Sequence, residues 1–194
     1  MRKIILASKS PRRRELLENI GVKFGVAVSD TDEAAVSKEL DPSLYVRELS
    51  LLKATAVAKH CGKHAFVIGA DTVVVHNGEI LGKPKDRADA YAMLTRLSGD
   101  VHHVYTGISV VNTDDMQAVS EYEKTAVVFR KLTKREIEYY IDNYNVLDKA
   151  GSYAIQEYAG AFVSRIEGDY FNIVGLPLCR LCTLISREYG EDLI

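Results

Sequence analysis

The sequence predicts an α/β domain with a mixed central sheet and flanking helices, and three features predict it. Strand-like and helix-like segments alternate along the chain, with hairpins added between them. The run AFVIGADTVVV (65–75) is apolar on both faces, as a strand in the middle of a covered sheet must be. Helix boundaries carry caps and stops at the expected offsets, Thr133 with Glu136 forming a capping box for KREIEYYIDNY. No internal repeat, low-complexity tract or Gly/Ser linker divides the 194 residues, which therefore read as a single domain, 1–194.

Each element follows from local signals. KIILA (3–7) reads as a strand. Ser10 and Pro11 supply an N-cap and a first helical position, and Gly21 closes that helix. KFGVAV is a second strand. Asp41-Pro42 opens a helix running to about His60, with Gly62 as its stop. The turn His76-Asn77-Gly78-Glu79 folds the central strand into a hairpin with EILGK. A helix from about Arg87 to Leu97 ends at Gly99, and VYTGISVV and YEKTAVVF read as strands. The last third reads as strand and turn (GSYAIQ, GAFVSRI, EGDYFN) before a final helix, PLCRLCTLISREYG.

Composition excludes several classes of function. With 47% hydrophobic and 27% charged residues and a formal net charge of -2, no global basic field supports nucleic-acid or membrane-surface binding. Any anion site must be local. No run of 18 or more residues is apolar, and MRKIILASKS is too short for a secretory signal, so a cytoplasmic location is expected. The three cysteines make no disulfide framework, which fits a reducing compartment. Cys179 and Cys182 form a C-x-x-C, but Leu178, Leu181, Cys182 and Ile185 recur at helical spacing and no second ligand pair accompanies them. Packing is the reading there.

Three anomalies carry the chemistry. The first is PRRR (11–14), which places arginines in the first turn of a helix, where each exposed cation is disfavoured by roughly 0.3–1 kcal/mol. A bound polyanion reverses that sign, since the free N–H groups and the dipole attract phosphate and arginine grips it bidentately. Arg13 shares a face with Leu16, Leu17 and Ile20, so its stem points inward, whereas Arg14 lies over Glu18 as a solvated pair. Ser8 and Ser10 add donors; without them a surface-charged helix would explain the arginines equally well. The second anomaly is Lys53, set in an apolar stripe with Val46, Leu49, Ala56 and Val57, where a lysine either snorkels out or meets an anion. The third is Asp71, a carboxylate inside a run fit for a buried strand, which needs either a structural salt bridge or a metal. Lys83 in LGKP and Glu33 in the acidic loop SDTDEAA would complete a set of cations for a polyphosphate and carboxylates for a divalent ion. His102 and His103 are adjacent on a strand and face opposite ways, which argues against a joint metal site.

SKSPRRRELL resembles the S-x-S-P-R-R signature of the Maf family of nucleoside triphosphate pyrophosphatases. The similarity continues, in order, through GADTVV, LGKPKD, LSGDVHHVYTG, DKAGSYAIQ and IEGDYFNIVGLPL. The resemblance implies an α/β fold of two lobes around an active-site cleft (Maf/ITPase-like), often as a homodimer. It implies hydrolysis of a nucleoside triphosphate to the monophosphate and pyrophosphate with a divalent cation, Mg²⁺, Mn²⁺ or Co²⁺. Carried over, the family's catalytic aspartate falls on Asp71 as proton acceptor, with Glu33 at an acidic position of the metal and water region. Ser8, Arg13, Lys53 and Lys83 fall on phosphate-contacting positions, with Ser10 beside them.

Subgroups of the family differ at three positions, where this chain has Arg12, Thr72 and Gln156. That set resembles the dTTP/UTP pyrophosphatase subgroup; a 7-methyl-GTP subgroup tends to carry tryptophan, glutamine and glutamate instead. Tryptophan suits a cationic methylated guanine, while the Gln156 amide offers a donor and an acceptor to the O4 and N3–H edge of uracil and thymine. The alternatives are a 7-methyl-GTP or purine-directed pyrophosphatase and a non-catalytic, nucleotide-sensing regulator of septum formation. One departure stands out: family members commonly have an acidic residue just before the lysine that matches Lys53, and here Leu52 takes its place. Loss of a supporting salt bridge is the expected consequence.

Overall fold

The computed structural model describes residues 2–28 and 30–194. Ser29, with which the acidic loop begins, lies outside the described residues. A seven-stranded sheet forms from β1 (Lys3–Leu6), β2 (Phe24–Val26), β3 (Ala65–His76), β4 (Glu79–Leu81), β5 (Val101–Asn112), β6 (Ala118–Phe129) and β7 (Val163–Glu167). Their order is β2-β1-β3-β5-β6-β7, with β4 paired to β3 off that path. β1 runs parallel to β2 and to β3, while β4 is antiparallel to β3 and β7 to β6, so the sheet is mixed as expected. Six helices accompany it among the described residues: α1 (Pro11–Asn19), α2 (Pro42–Ala58), α3 (Arg87–Leu97), α4 (Lys134–Asn143), α5 (Tyr170–Val174) and α6 (Leu178–Tyr189). No described helix is long and apolar enough to cross a membrane.

Two compact units share the chain. The first comprises Met1–Asp71, Thr106–Glu123 and Gly175–Ile194. Its governing contact is the approach of α2 to the sheet, which two glycines permit. A Cβ on Gly69 of β3 would lie 2.2 Å from the Ser50 carbonyl oxygen, and one on Gly107 of β5 would lie 2.1 Å from that of Val46. Only a residue without a side chain allows backbone to meet backbone this closely. The fit is locked by hydroxyls, since Ser50 Oγ and Ser109 Oγ lie 2.7 Å apart and Ser109 Oγ is 2.7 Å from Ser120 Oγ. Buried Val46, Leu49, Ala54 and Val57 fill the remainder of this face.

The second unit comprises Thr72–Tyr105 and Lys124–Val174. Leu94, Leu97, Val104, Phe129, Ile137, Tyr140 and Phe162 are buried together in its core. Phe129 meets Tyr153 and Phe162 edge to face, at centroid distances of 4.9 and 5.9 Å, an arrangement the ring quadrupoles favour. The Asn77-Gly78 turn has φ of 50° and 81°, the positive values a two-residue hairpin of this type requires. The capping box closes: Glu136 N–H donates to Thr133 Oγ1 at 3.3 Å, and Thr133 N–H donates to Glu136 Oε2 at 2.8 Å.

Three sequence expectations need correction. GSYAIQ is not a strand: Ala150–Ser152 is a 3₁₀ turn, and Ile155 and Gln156 lie in a further turn. Gly151 and Ser152 both have positive φ, 65° and 66°, which an extended strand cannot accommodate. EGDYFN ends in helix, with α5 beginning at Tyr170. On α6 the packing face is Leu178, Leu181, Leu184 and Ile185, while Cys182 is half-buried and Cys179 exposed, so the latter does not pack.

Candidate functional site

The first unit builds its site where β1 gives way to α1. Ala7 N–H still donates to Ile68 O of β3 at 2.8 Å, after which the chain turns into the helix. Ser8 is buried, and its Oγ accepts from Ser10 N–H at 3.2 Å and from Arg13 Nη1 at 3.1 Å. Ser10 is the N-cap residue but its side chain makes no capping bond, and Pro11 occupies the first turn. Arg13 Nε donates to the carbonyl of Gly175 at 2.7 Å. Leu16 and Leu17 are buried on the face that Arg13 shares, and Arg14 is exposed, as the helical spacing predicted. Burial holds the Arg13 guanidinium below the ordinary arginine value; the nearby Asp71 carboxylate opposes this, Arg12 reinforces it, and Glu33 opposes it. Arg13 therefore lies in the field of both carboxylates.

Those carboxylates converge on Lys53. Its Nζ lies 2.6 Å from Asp71 Oδ1 and 3.0 Å from Glu33 Oε1. The Lys53 and Asp71 side chains are 18% and 13% exposed, whereas Glu33 is 56% exposed, so only the Lys53–Asp71 half of the triad is shielded from water. The two anomalies read from the sequence answer each other: the lysine meets an anion, and the buried carboxylate has a cation. Glu33 opens a 3₁₀ turn capped by Asp32, whose Oδ1 accepts from Ala34 N–H at 3.0 Å. Despite Leu52, Lys53 has two carboxylate partners.

One group here escaped the sequence reading. Tyr45 is buried on α2, eight residues before Lys53 and so on the same helical face. Burial first, then the carboxylates of Asp71 and Glu33, push its phenol above the ordinary tyrosine value. The 45–49–53 spacing was the available signal, but an i, i+4, i+8 tyrosine reads as core. The Gly175 carbonyl that anchors Arg13 left no trace in composition or periodicity.

A divalent metal fits this donor set. Asp71 and Glu33 present hard oxygens that already approach one nitrogen, and Mg²⁺ is held in sites of this kind by one or two carboxylates together with substrate phosphates and water. Among the described residues no group of three or more His, Cys, Asp or Glu side chains could hold an ion by itself. The remaining ligands would have to come from substrate and solvent.

The second unit carries the other expected residues. Lys83 is exposed just after β4, and Thr72, next to Asp71 on β3, is half-buried. Gln156 is exposed in its turn. The Gly151 N–H donates to the Gly82 carbonyl at 3.0 Å, tying the segment before Gln156 to the one bearing Lys83. Gly151 has φ of 65° and sits against Val74, where an added Cβ would come within 2.9 Å. In the first unit Arg12 and Ser10 are half-buried beside the anchored Arg13.

Known proteins resemble the chain over its full length. It is 52% identical over 192 residues to a dTTP/UTP pyrophosphatase of Thermoanaerobacter sp. (strain X514), covering 99% of this chain and 100% of that one. A dTTP/UTP pyrophosphatase of Alkaliphilus metalliredigens (strain QYMF) is 47% identical over 194 residues, all of both chains. A third, from Bacillus anthracis, is 49% identical over 181 residues, 93% of each chain. Residues 3–188 match the family described as Maf-like protein, and with the Ser8–Arg13 anchor and the Asp71–Lys53–Glu33 triad in place, the chain belongs to that family.

Proposed function

We propose that this chain is a metal-dependent nucleoside triphosphate pyrophosphatase that converts dTTP and UTP to the monophosphate and pyrophosphate, acting as one domain in the cytoplasm. The observation that carries the reading is the convergence of Asp71 and Glu33 on Lys53, with Arg13 in the field of both. The names of full-length relatives at about half identity support the substrate class. Three free cysteines without a disulfide suit a reducing compartment.

The reaction joins water to the α-phosphorus and breaks the bond from that phosphorus to the bridging oxygen, which leaves with pyrophosphate. Asp71 takes the proton that the water loses, so no serine or cysteine nucleophile is required. Arg13, Lys83 and Lys53 neutralise phosphate oxygens, and the α1 N-terminus with Ser8 and Ser10 adds hydrogen-bond donors. A divalent ion held by Asp71 and Glu33 would supply further charge neutralisation and polarise the water. Most of the barrier reduction then comes from positioning and electrostatics, which a set of pre-formed ion pairs can provide. Arg12, Thr72 and Gln156 are the residues assigned to reading the nucleobase.

Product analysis tests this. Purified protein with Mg²⁺ or Mn²⁺ should yield monophosphate and pyrophosphate from dTTP and UTP, little from the other natural triphosphates or 7-methyl-GTP, and nothing in the presence of a chelator. Preference for 7-methyl-GTP would overturn the specificity, and nucleotide binding without turnover would make the protein a sensor. Asp71→Asn should abolish turnover and spare nucleotide binding; unchanged activity in that variant removes the central claim.

A further inference from the structure

We infer that His102 is a positioning residue for nucleobase recognition: through Tyr153 it fixes the turn that carries Gln156. This rests on the proposed role of Gln156 and extends it to groups that do not touch substrate.

The turn has no regular ladder to hold it. Ile155 and Gln156 lie between two short 3₁₀ segments, Ala150–Ser152 and Tyr158–Phe162, in a turn closed by Glu157 N–H donating to the Ala154 carbonyl at 3.2 Å. What places that turn on the core is its side-chain ties. Three are present. His102 Nε2 and the Tyr153 hydroxyl are 2.7 Å apart, both groups buried. The Ala154 N–H donates to the Tyr140 hydroxyl at 3.2 Å. On the far side Glu157 pairs with the buried Lys149 ammonium at 3.4 Å. Gln156 is thus exposed on a turn whose neighbours on either side are fastened to the core.

His102 is where this arrangement departs from plain packing. The ring is fully buried on β5 and meets Phe129 and Tyr153 edge to face, at 4.8 and 5.4 Å, contacts that a phenyl ring would make equally well. Its Nδ1 is buried and finds no hydrogen-bond partner among the described residues, which an imidazole there must bear as an energetic cost. What the imidazole adds over phenylalanine is the single bond to Tyr153. A glutamine amide pairs with the uracil or thymine edge in one orientation and with the cytosine edge in the other. Turning from one to the other is a rotation within the Gln156 side chain. What the backbone sets, and what that bond bears on, is the position from which the amide meets the base edge. A displaced amide makes weaker bonds to the correct base and so discriminates less.

The test compares dTTP with dCTP, which share sugar and triphosphate and differ in the base, across His102→Phe, His102→Gln, Tyr153→Phe and Gln156→Ala. His102→Phe and Tyr153→Phe should each raise the KM for dTTP about tenfold, leave kcat within about twofold, and lower the dTTP/dCTP ratio of kcat/KM about tenfold, as expected for lost alignment of a recognition group. His102→Gln, which keeps a hydrogen-bonding side chain, should restore much of the ratio. Tyr153→Phe removes a single oxygen and decides the matter if His102→Phe does not fold. A folded Tyr153→Phe enzyme with the wild-type ratio overturns the positioning role. Gln156→Ala separates the two ideas: if it leaves the ratio untouched, the base-reading assignment falls and the positioning role with it. If it collapses the ratio while Tyr153→Phe does not, the positioning role alone is wrong.

Discussion

Adding one methyl group at Gly69 should disable the site from beneath. The Cβ of Gly69→Ala would stand 2.2 Å from the Ser50 carbonyl oxygen and 2.9 Å from both the nitrogen and the Cβ of Ala54. Favourable contacts between such atoms begin near ~3.5 Å, so α2 must retreat by about 1 Å. All three obstructing atoms belong to the helix backbone or its shortest side chain, and none can rotate away. Overpacking of a close-packed interior costs about 1–3 kcal/mol, and here the upper end applies because a whole helix has to move. Lys53 follows Ser50 by one turn, so the same retreat lengthens its 2.6 Å contact with Asp71. A misplacement of about 1 Å can cost about 10²-fold in rate. The assay is urea unfolding followed by circular dichroism, paired with kcat/KM for dTTP. Gly62→Ala is the control, since an added Cβ there meets nothing within 4 Å. A Gly69→Ala protein with wild-type stability and wild-type turnover would refute the claim that this backbone approach sets the position of Lys53.

Two further perturbations follow from buried charge. Lys53→Met leaves the shielded Asp71 carboxylate without its ammonium and should destabilise the fold by about 3–5 kcal/mol, read as a lower urea midpoint with unchanged slope; a loss below ~1 kcal/mol would show that Asp71 is better solvated than its burial indicates. Acid should act through His102, whose pKa is held down to about 3 by burial, with His76 and His103 adding to the effect and Asp100 opposing it. Between that value and the ordinary 6.5 the unfolded chain binds the proton and the folded one does not, so stability falls as pH falls through this window. From pH 7 to pH 5 the loss is about 2 kcal/mol at ~1.4 kcal/mol per unit below 6.5. The His102→Gln variant should lose that much less over the same range, and identical pH profiles for the two proteins would contradict the assignment.

Local signals located what local physics determines. The Arg87–Leu97 helix, the Asn77-Gly78 hairpin and the Thr133–Glu136 capping box appear where their own residues place them, because each is specified within a few positions. Lys53 and Asp71 were legible as charges in apolar surroundings, but not as partners of each other. That pairing depends on α2 lying against β3, which Gly69 and Gly107 permit, and a glycine within an apolar strand run does not announce what will press against it. The segment before Gln156 misled for the opposite reason. Its Tyr-Ala-Ile core suits a strand, yet Gly151 and Ser152 take positive φ, and Tyr153 is drawn inward by a histidine some fifty positions away in the chain. Tyr45 was hidden because nothing in its spacing distinguishes a tyrosine facing carboxylates from one filling a core.

The arginines at the start of α1 make sense in these terms. A cation in a first helical turn opposes the dipole, and of the three, only Arg13 is drawn inward to be fixed, by Ser8 and by the Gly175 carbonyl. There it joins Lys53 among Asp71 and Glu33, with Arg12 also in its field, so each of the two carboxylates has cations close by. Pairing of opposite charges is what lets the Lys53–Asp71 half of the cluster stay shielded from water, since an uncompensated buried charge costs several kcal/mol or more. The same pairing makes every member of the cluster sensitive to the loss of another. A substitution chosen to remove one phosphate-binding cation will also strand a carboxylate, so Lys53 variants should lose stability and turnover together. Lys83, exposed on the second unit and outside this pairing, should lose affinity for the triphosphate while the fold keeps its urea midpoint.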